Sequence, residues 1–374
     1  MGRGRVRRVA VAIALLVGGT TVLPMAAAGV YNPAETGAAV ADPATGRSDR
    51  FPVEAPAGPI ATTEGVAALR FDQFLIDPMG LLLRIGNEQL NDNRIRAHYL
   101  RQADRLRTKV RSGTATVPER VSLSAYLIRL GRPEEAVDVL TPVAGRDCRD
   151  FMVFANLGTA TQLTGELRRA ADRIQEALDY WPRDWPGMTR QQLEWYRQVE
   201  RDHRRLLLLR LRERASGRAR ADETVDELFP ELRFVGESGV YEAGQLAAAM
   251  REKLPADALA RVQQLLVWLP ADTRLYWLYG ELLNAHGEVA AALRVLDECV
   301  YGRQYQTAEL RAHRLVLLEA QARSVSPPDW LPGRRQLTVV GSLAGVVVVA
   351  LLVLQVRELR RRWRGSASAK GCCR

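Results

Sequence analysis

The sequence predicts an all-α protein: a solenoid of helical hairpins, interrupted by one long inserted helix and followed by a single C-terminal transmembrane helix. Three observations support this prediction. Side chains of the same type recur 34 residues apart, a long amphipathic segment begins with a helix-capping pattern, and twenty consecutive uncharged residues lie near the C-terminal end.

The 374-residue chain carries a formal net charge of +10, but this charge is unevenly placed. Residues 1–28 carry +4, residues 29–333 carry −2, and residues 334–374 carry +8. The basic residues therefore flank apolar segments at the two ends, where they set membrane orientation, and the body is close to neutral. This distribution argues against a nucleic-acid partner, which would require a basic surface on the body.

Residues 1–28 have the order of features of a secretory signal peptide. Four arginines among the first eight residues precede the short apolar run Val9–Val17, and the small residues Ala26–Ala28 supply a cleavage site. We therefore predict a signal peptide that exports the chain. An uncleaved anchor is the alternative, and it gives the following residues the same location outside the cytoplasm.

Residues 336–356 are predicted to form a transmembrane helix, because the apolar stretch Leu337–Val356 is long enough to span a bilayer. Two arginines precede this stretch, and five follow it in the basic tail 357–374. The more basic flank is expected in the cytoplasm. The prediction is a single-pass inner-membrane protein with a periplasmic main domain, which contacts the lipid bilayer through its C-terminal helix.

Gly341 and Gly345 form a G-x-x-x-G pattern, which allows two membrane helices to approach closely. A homodimer is therefore an alternative to a monomeric anchor, although glycine is common in membrane helices in any case. Residues 324–335 contain three prolines and are predicted to be a stiff spacer between the body and the membrane.

The exported body is predicted to begin with a linker and a helical region. Residues 29–62 carry five prolines among small residues, which is typical of a disordered linker. Residues 63–116 show helical patterning, clearest in the Arg-rich amphipathic segment Ala97–Val110, which ends at Ser112-Gly113.

A regular period defines the first pair of hairpins, residues 117–184. Gly131 and Gly165 are 34 residues apart, and so are Ala136 and Ala170. A self-similar period of this length is typical of stacked helical hairpins.

The second hairpin of this pair, Phe151–Asp184, is the better formed. Gly165 is placed to end its first helix, and the small residues Gly158 and Ala170 are placed to let its two helices cross closely. The hairpin resembles the tetratricopeptide repeat (TPR) family at Leu157, Gly158, Gly165, Ala170, Ala177 and Pro182. Thr161 departs from the tyrosine that is usual in that family.

Residues 239–323 are predicted to hold a second TPR-like pair and a capping helix. The copy Thr273–Tyr305 has glycines and an alanine at the corresponding positions, whereas the hairpin Gly239–Asp272 keeps the pattern only in its second helix. The capping helix is predicted over Gln304–Arg323. Leucines expected to face the core include Leu163, Leu310, Leu315, Leu317 and Leu318.

Residues 185–238 are out of register with the repeats and are predicted to contain a long inserted helix and a connection. Thr189 and Gln192 form a capping-box pattern, and the apolar end Leu206–Leu209 is expected to pack across the solenoid or against a partner. The connection Phe229–Gly239 has few helix signals and is expected to be ordered, with a short strand or hairpin as one option.

No pattern that carries catalysis or binds a cofactor or metal is found in the sequence. The four histidines are isolated, and phosphate-binding, dinucleotide-binding and zinc-binding spacings are absent. Cys148 and Cys299 lie in separate repeats and are interpreted as two separate thiols, with a disulfide as the alternative. We therefore predict a protein without enzymatic activity and without a cofactor.

The resemblance to TPR proteins implies that the first helix of each hairpin lines a groove for another protein or peptide. In the Thr273–Tyr305 copy, the side chains that would face this groove are Arg274, Trp277, Glu281 and Asn284. The competing interpretation, favoured for any single residue, is that Trp277 packs against a neighbouring helix beside Tyr276 and Tyr279.

These features together predict a membrane-tethered TPR scaffold or adaptor that mediates protein–protein interaction on the outer side of the inner membrane. The alternative is a self-assembling structural component of the cell envelope, which the long inserted helix and the paired glycines of the membrane segment favour.

Overall fold

The structure is a computed structural model. It describes residues 30–32, 60–62, 65–75, 94–185 and 188–324. The predicted signal peptide, transmembrane helix and basic tail lie outside these residues, as do most of the predicted linker and spacer. None of the helices within the described ranges is long and apolar enough to cross a membrane. The chain divides into two units after Ala320, and the packing described below belongs to the first.

Helices make up nearly all of the regular structure in the described ranges, which confirms the predicted all-α class. Their bounds are α1 Phe71–Phe74, α2 Arg94–Arg111, α3 Val117–Arg129, α4 Pro133–Leu140, α5 Phe151–Leu163, α6 Leu167–Asp179, α7 Arg190–Ala215, α8 Ala248–Arg251, α9 Ala258–Trp268, α10 Thr273–Ala285, α11 Val289–Asp297 and α12 Ala308–Ser324.

Short non-α elements connect these helices. A small antiparallel hairpin joins β1, Ile60–Thr62, to β2, Gly65–Ala67. A 3₁₀ turn, Arg220–Asp222, follows α7, and a π turn, Glu298–Gly302, follows α11.

Helices that follow one another in the chain pack side by side. From α2 through α6, each helix packs against the one that follows it. In the later group, α9 packs against α10, and α10 packs against α11. The helix α3 also contacts α5, as is usual when successive hairpins stack. The long helix α7 contacts α6 and α9, so it joins the two groups of hairpins.

Glycine allows close helix contact in two hairpins. A Cβ added at Gly158 of α5 would lie 2.5 Å from Ile174 Cδ1 and 3.3 Å from the Ala170 carbonyl oxygen of α6. A Cβ added at Gly280 of α10 would collide with Leu296 of α11. The expectation that small residues at Gly158 and Ala170 bring α5 and α6 together is therefore confirmed.

The predicted end signal of α5 and the predicted capping box of α7 are also present. Gly165 ends α5 with a φ of +91°, a left-handed conformation that glycine adopts without strain. At the start of α7, the Thr189 hydroxyl accepts a hydrogen bond from the Gln192 N–H at 3.2 Å, and the Gln192 side chain accepts one from the Thr189 N–H at 2.8 Å. Leu206 and Leu207 are fully buried, so the apolar end of α7 packs within the array.

The hairpin predicted over Gly239–Asp272 lacks its first helix. Within this fully described range, the single turn α8 is the only helical part before α9. Gly239 and Gly244 adopt φ angles of +81° and +70°, which interrupt a helix at both ends of the short segment between them. The second predicted pair therefore contains one complete hairpin, α10–α11, and the connection Phe229–Gly239 contains no strand.

Three leucines expected in the core are exposed instead. Leu163 is 41 % exposed because it ends α5 at the mouth of an open cleft. Leu315 and Leu318 lie on the outer side of α12, whose inner stripe is formed by the fully buried Leu310 and Leu317, seven residues apart.

Cys148 is half-buried and Cys299 is buried, and both are free thiols, as interpreted from their separate repeats. Burial raises the pKa of Cys299 to about 12. The thiol therefore stays protonated and is a poor nucleophile in the folded chain.

Replacing Gly158 with valine tests the close packing of α5 on α6. We expect Gly158→Val to lower the free energy of unfolding by about 2 kcal/mol, because the branched side chain must displace Ile174 or separate the helices. Gly145→Val is the matched control. A Cβ at Gly145 meets nothing within 4 Å, so its effect should stay within about 0.5 kcal/mol. Urea unfolding measures both, and equal effects would contradict the close contact.

Candidate functional site

The side chains predicted to line the groove share one face of α10, but the chain itself covers that face. Arg274, Trp277, Glu281 and Asn284 are all buried, and Trp277 and Glu281 have no exposed surface. The expectation of an open groove is therefore wrong. Where the predicted helix is missing, residues 216–257, named the connection from here on, lie against this face together with Glu213 of α7 and His313 of α12. Binding of a partner by these four residues stays a prediction.

Arg274 belongs to a buried ionic cluster that joins α7, the connection and α10. Its guanidinium lies 2.5 Å from Glu213 and 2.9 Å from Asp226. Arg210 lies 2.8 Å from the same Asp226 and 2.5 Å from Asp272. Each of these charges, of which Arg274 and Asp226 are buried and the others partly buried, thus has a partner of opposite sign, which offsets the cost of removing it from water.

The ionic cluster lowers the pKa values of two of its carboxyl groups. Burial alone would raise the pKa of Asp272, but the charge of Arg210 and its two hydrogen bonds hold that pKa below its usual range. Burial likewise opposes the effect of Arg274 on Glu213, and the pKa of Glu213 still ends below its usual range. Both groups therefore stabilise the fold in their charged form.

Trp277 and Glu281 form a second buried group. The Trp277 indole N–H donates to Glu281 Oε1 at 2.6 Å, and His313 Nδ1 lies 2.9 Å from the same oxygen. The ring of Tyr241, from the connection, stacks on the His313 ring with centroids 3.7 Å apart. Burial, and next the nearby Glu281 charge, raise the pKa of Tyr241, so its hydroxyl keeps the proton. Trp277 thus packs inside the molecule, in line with the competing interpretation.

Asn284 holds the backbone of the connection. Its Oδ1 accepts a hydrogen bond from the Gly244 N–H at 2.6 Å, and its Nδ2 donates to the Glu242 carbonyl oxygen at 2.9 Å. Both bonds involve main-chain groups of the connection, so they hold the turn at Gly244 without contacting particular side chains.

Two other buried carboxamides in the described part of the chain do the same. Asn156 accepts from the Tyr31 N–H at 2.7 Å and donates to the Tyr31 carbonyl oxygen at 2.8 Å. Gln263 makes the equivalent pair of bonds to Leu69, both of 2.8 Å. We name Asn156, Gln263 and Asn284 the backbone clamps. One carboxamide offers an acceptor beside a donor, so it can satisfy both polar groups of a buried main chain.

The clamp on Tyr31 corrects part of the predicted linker, because residues 30–32 are buried. The Tyr31 hydroxyl donates to Glu200 Oε1 at 3.1 Å, and its ring packs edge-on against Phe151 and Trp181, with centroids 5.0 Å and 6.2 Å away. Burial, and next the charge of Glu200, raise the pKa of Tyr31, so this hydroxyl also keeps its proton. One buried aromatic ring and its hydrogen bonds thus fix a segment whose composition is typical of a linker.

A repeated tripeptide is the signal that sequence reasoning missed. Gly-Val-Tyr occurs at residues 29–31 and again at residues 239–241. Each tyrosine lies beside a buried glutamate, Glu200 in the first case and Glu281 in the second, and a histidine lies close to each glutamate. A tyrosine therefore lies beside a buried glutamate in both groups of hairpins.

The clamps themselves do not follow the 34-residue period. Asn156 lies two residues before Gly158 of α5, whereas Asn284 lies four residues after Gly280 of α10. Repeat spacing could therefore place Asn284 on the correct face of α10 but could not reveal Asn156 as its functional counterpart.

An open cleft of about 360 Å³ lies beside the ionic cluster, and Arg214 and Arg218 line it together with Glu213 and Glu223. Within the described ranges, no group of three or more His, Cys, Asp or Glu side chains is arranged to hold a metal ion.

Comparisons of this chain with family models, with curated proteins and with solved structures find no match. The backbone clamps and the ionic cluster are therefore the features from which a function is argued below.

Changing Asp272 to asparagine tests the ionic cluster through its pH dependence. Asparagine retains the N-cap bond that Asp272 accepts from the Leu275 N–H, but it loses the charge that pairs with Arg210. We expect Asp272→Asn to lower the free energy of unfolding by about 2 kcal/mol at pH 6. A carboxyl pKa that is lowered on folding stabilises the protein above about pH 4, and this contribution is lost as the pH falls through the folded pKa.

The difference between Asp272→Asn and the wild type should therefore shrink as urea unfolding is repeated from pH 6 down to pH 3. Asp104→Asn is the control, since the Asp104 side chain is 68 % exposed and its effect should stay within about 0.5 kcal/mol at each pH. A difference for Asp272→Asn that is constant with pH would contradict an ionic role.

Proposed function

We propose that this chain is a membrane-tethered, TPR-like scaffold that binds extended segments of other proteins outside the cytoplasm and has no enzymatic activity. The observation that carries the proposal is the set of backbone clamps. Each clamp holds a non-helical segment against a helix through two hydrogen bonds to main-chain groups.

The energetics of a buried carboxamide favour an occupied site. A satisfied hydrogen bond contributes about 1 kcal/mol, whereas a buried donor or acceptor left without a partner costs about 1–3 kcal/mol. A clamp with nothing beside it would therefore destabilise its helix pair. Because the clamp bonds involve only the ligand's backbone, many different sequences can satisfy them.

The occupants of the clamps come from distant parts of the chain. Tyr31 lies 125 residues from its clamp, Leu69 lies 194 residues away and Gly244 lies 40 residues away. The clamps therefore act on segments that reach them through space, as a segment of another protein would.

Two further features favour a tethered binding role. The buried acids and bases of α10 are engaged in packing and ion pairs: Glu281 contacts Trp277 and His313, and Arg274 contacts Glu213 and Asp226. The predicted signal peptide and transmembrane helix would place the hairpins outside the cytoplasm and fix them to the inner membrane.

Crosslinking in native membranes, followed by mass spectrometry, tests the proposal. The wild-type chain should be recovered with a defined polypeptide other than itself. Asn156→Ala and Asn284→Ala should each lower that recovery about tenfold, because each removes two hydrogen bonds to the bound backbone. Gln306→Ala is the control, since Gln306 is an exposed carboxamide outside the clamps.

Recovery of further copies of this chain, and of nothing else, would favour the self-assembling envelope component instead. Equal recovery from the clamp variants and the control would contradict a role for the clamps in binding.

A further inference from the structure

The pocket around Tyr31 is built mainly by helical elements and is filled by residues 30–32. We name it the tyrosine pocket, and its walls are Phe151 and Asn156 of α5, Trp181 after α6 and Glu200 of α7. Asn156 and Glu200 have no exposed surface. The occupant, residues 30–32, is separated from β1 by 27 residues of chain.

Glu200 gives the pocket its chemical selectivity. Its Oε1 accepts from the Tyr31 hydroxyl at 3.1 Å. Its Oε2 is buried without a hydrogen-bond partner in the described part of the chain, and it lies 3.6 Å from His203 Nδ1. Removing the phenol would therefore leave a buried carboxylate with still fewer hydrogen bonds.

This arrangement distinguishes tyrosine from its close analogues. Phenylalanine would fill the aromatic walls but leave Glu200 Oε1 without its donor, a loss of about 1–3 kcal/mol, or roughly 5- to 150-fold in affinity. Phosphotyrosine would bring a phosphate against the Glu200 carboxylate, and the like charges would repel. The ligand that fits is an unmodified tyrosine in an extended backbone.

The second Gly-Val-Tyr segment also places its tyrosine beside a buried glutamate, but Glu281 is bonded to Trp277 and His313, and the attachment of the segment differs. Tyr241 lies between Val235 and Ala247, whose backbones bond to each other at 2.9 Å, so its segment is held at both ends. The hydrogen bonds and ring contacts of Tyr31 are made to α5, Trp181 and α7, and not to the connection. Replacing the occupant of the tyrosine pocket therefore leaves the contacts of the connection in place.

We propose that the tyrosine pocket is a recognition site for an unmodified tyrosine in an extended segment of a partner protein, and that residues 30–32 occupy it as a tethered internal ligand. This inference rests on the proposed function and adds the class of ligand to it. Because residues 30–32 belong to the same chain as the pocket, a partner segment must compete with them to bind.

Binding of a fluorescent peptide to the purified full-length chain tests the inference, with residues 29–36 as the probe. Tyr31→Pro removes both the ring and the N–H that Asn156 holds, so it should empty the pocket. We expect the peptide to bind Tyr31→Pro at least tenfold more tightly than the wild type. Tyr301→Ala, which alters an exposed tyrosine outside the pocket, should bind like the wild type.

Peptide analogues test the selectivity in the Tyr31→Pro chain. A tyrosine-to-phenylalanine peptide should bind about tenfold more weakly or worse, and the phosphotyrosine peptide should not bind. Equal affinity of the tyrosine and phenylalanine peptides would overturn the inference, and so would equal affinity of the peptide for Tyr31→Pro and the wild type.

A second variant keeps the test decisive if Tyr31→Pro lowers stability. Adding Glu200→Leu to Tyr31→Pro removes the acceptor but keeps the aromatic walls, so the preference for tyrosine over phenylalanine should fall to about threefold or less while the phenylalanine peptide still binds. Continued binding of the phenylalanine peptide requires a folded pocket, so it shows that the double variant is folded. An unchanged preference for tyrosine would overturn the role of Glu200.

The outcomes separate this inference from the proposed function. Capture of a partner that depends on the clamps, together with no preference for tyrosine, would overturn the tyrosine pocket and leave the scaffold function standing. A preference for tyrosine with no captured partner would support the pocket and contradict the scaffold function.

Discussion

A main chain that crosses a protein interior outside a sheet or helix must find partners for its N–H and C=O groups. In this protein, buried carboxamides of α5, α9 and α10 meet that requirement, each with one acceptor and one donor. Extended segments can therefore lie against helix faces that would otherwise need another helix. In the described part of the chain, these carboxamide hydrogen bonds hold non-helical segments over the faces of α5, α9 and α10.

The ionic cluster lies at the position of the missing helix. There the connection stands in place of the first helix of a hairpin, and its Asp226 forms ion pairs with Arg210 of α7 and Arg274 of α10. Buried charges contribute little net stability compared with apolar packing, but removing one of them leaves its partner unpaired. The ionic cluster therefore fixes the position of the connection, and with it the segment that Asn284 holds.

Local sequence patterns are sufficient to predict the helices whose start, end and packing signals lie within a few residues of one another. Gly158 and Gly165 define the α5–α6 hairpin, and Thr189 with Gln192 defines the start of α7. The face of α10 that carries Trp277 and Glu281 also follows from helical periodicity. The part of the chain that covers this face beside His313 of α12 could not be predicted, because it comes from the connection, which has no period of its own.

The same limit explains the two largest corrections. The prolines and small residues around Tyr31 predict a linker, whereas the burial of Tyr31 depends on Asn156 and Glu200, more than one hundred residues away in the sequence. The helix missing after Gly239 was predicted by extending the repeat across two glycines that interrupt it. Contacts between distant residues can bury a segment whose composition predicts a linker. Left-handed glycines can interrupt a helix that the repeat period predicts.

Hydrogen exchange at the clamped amides tests most directly whether carboxamides hold the extended segments. The amides of Tyr31, Leu69 and Gly244 should exchange slowly in the wild type. Replacing one clamp by leucine should accelerate exchange at least tenfold at the amide that it holds and leave the other two amides protected. Rapid exchange of these amides in the wild type, or equal acceleration at all of them in every variant, would contradict the account.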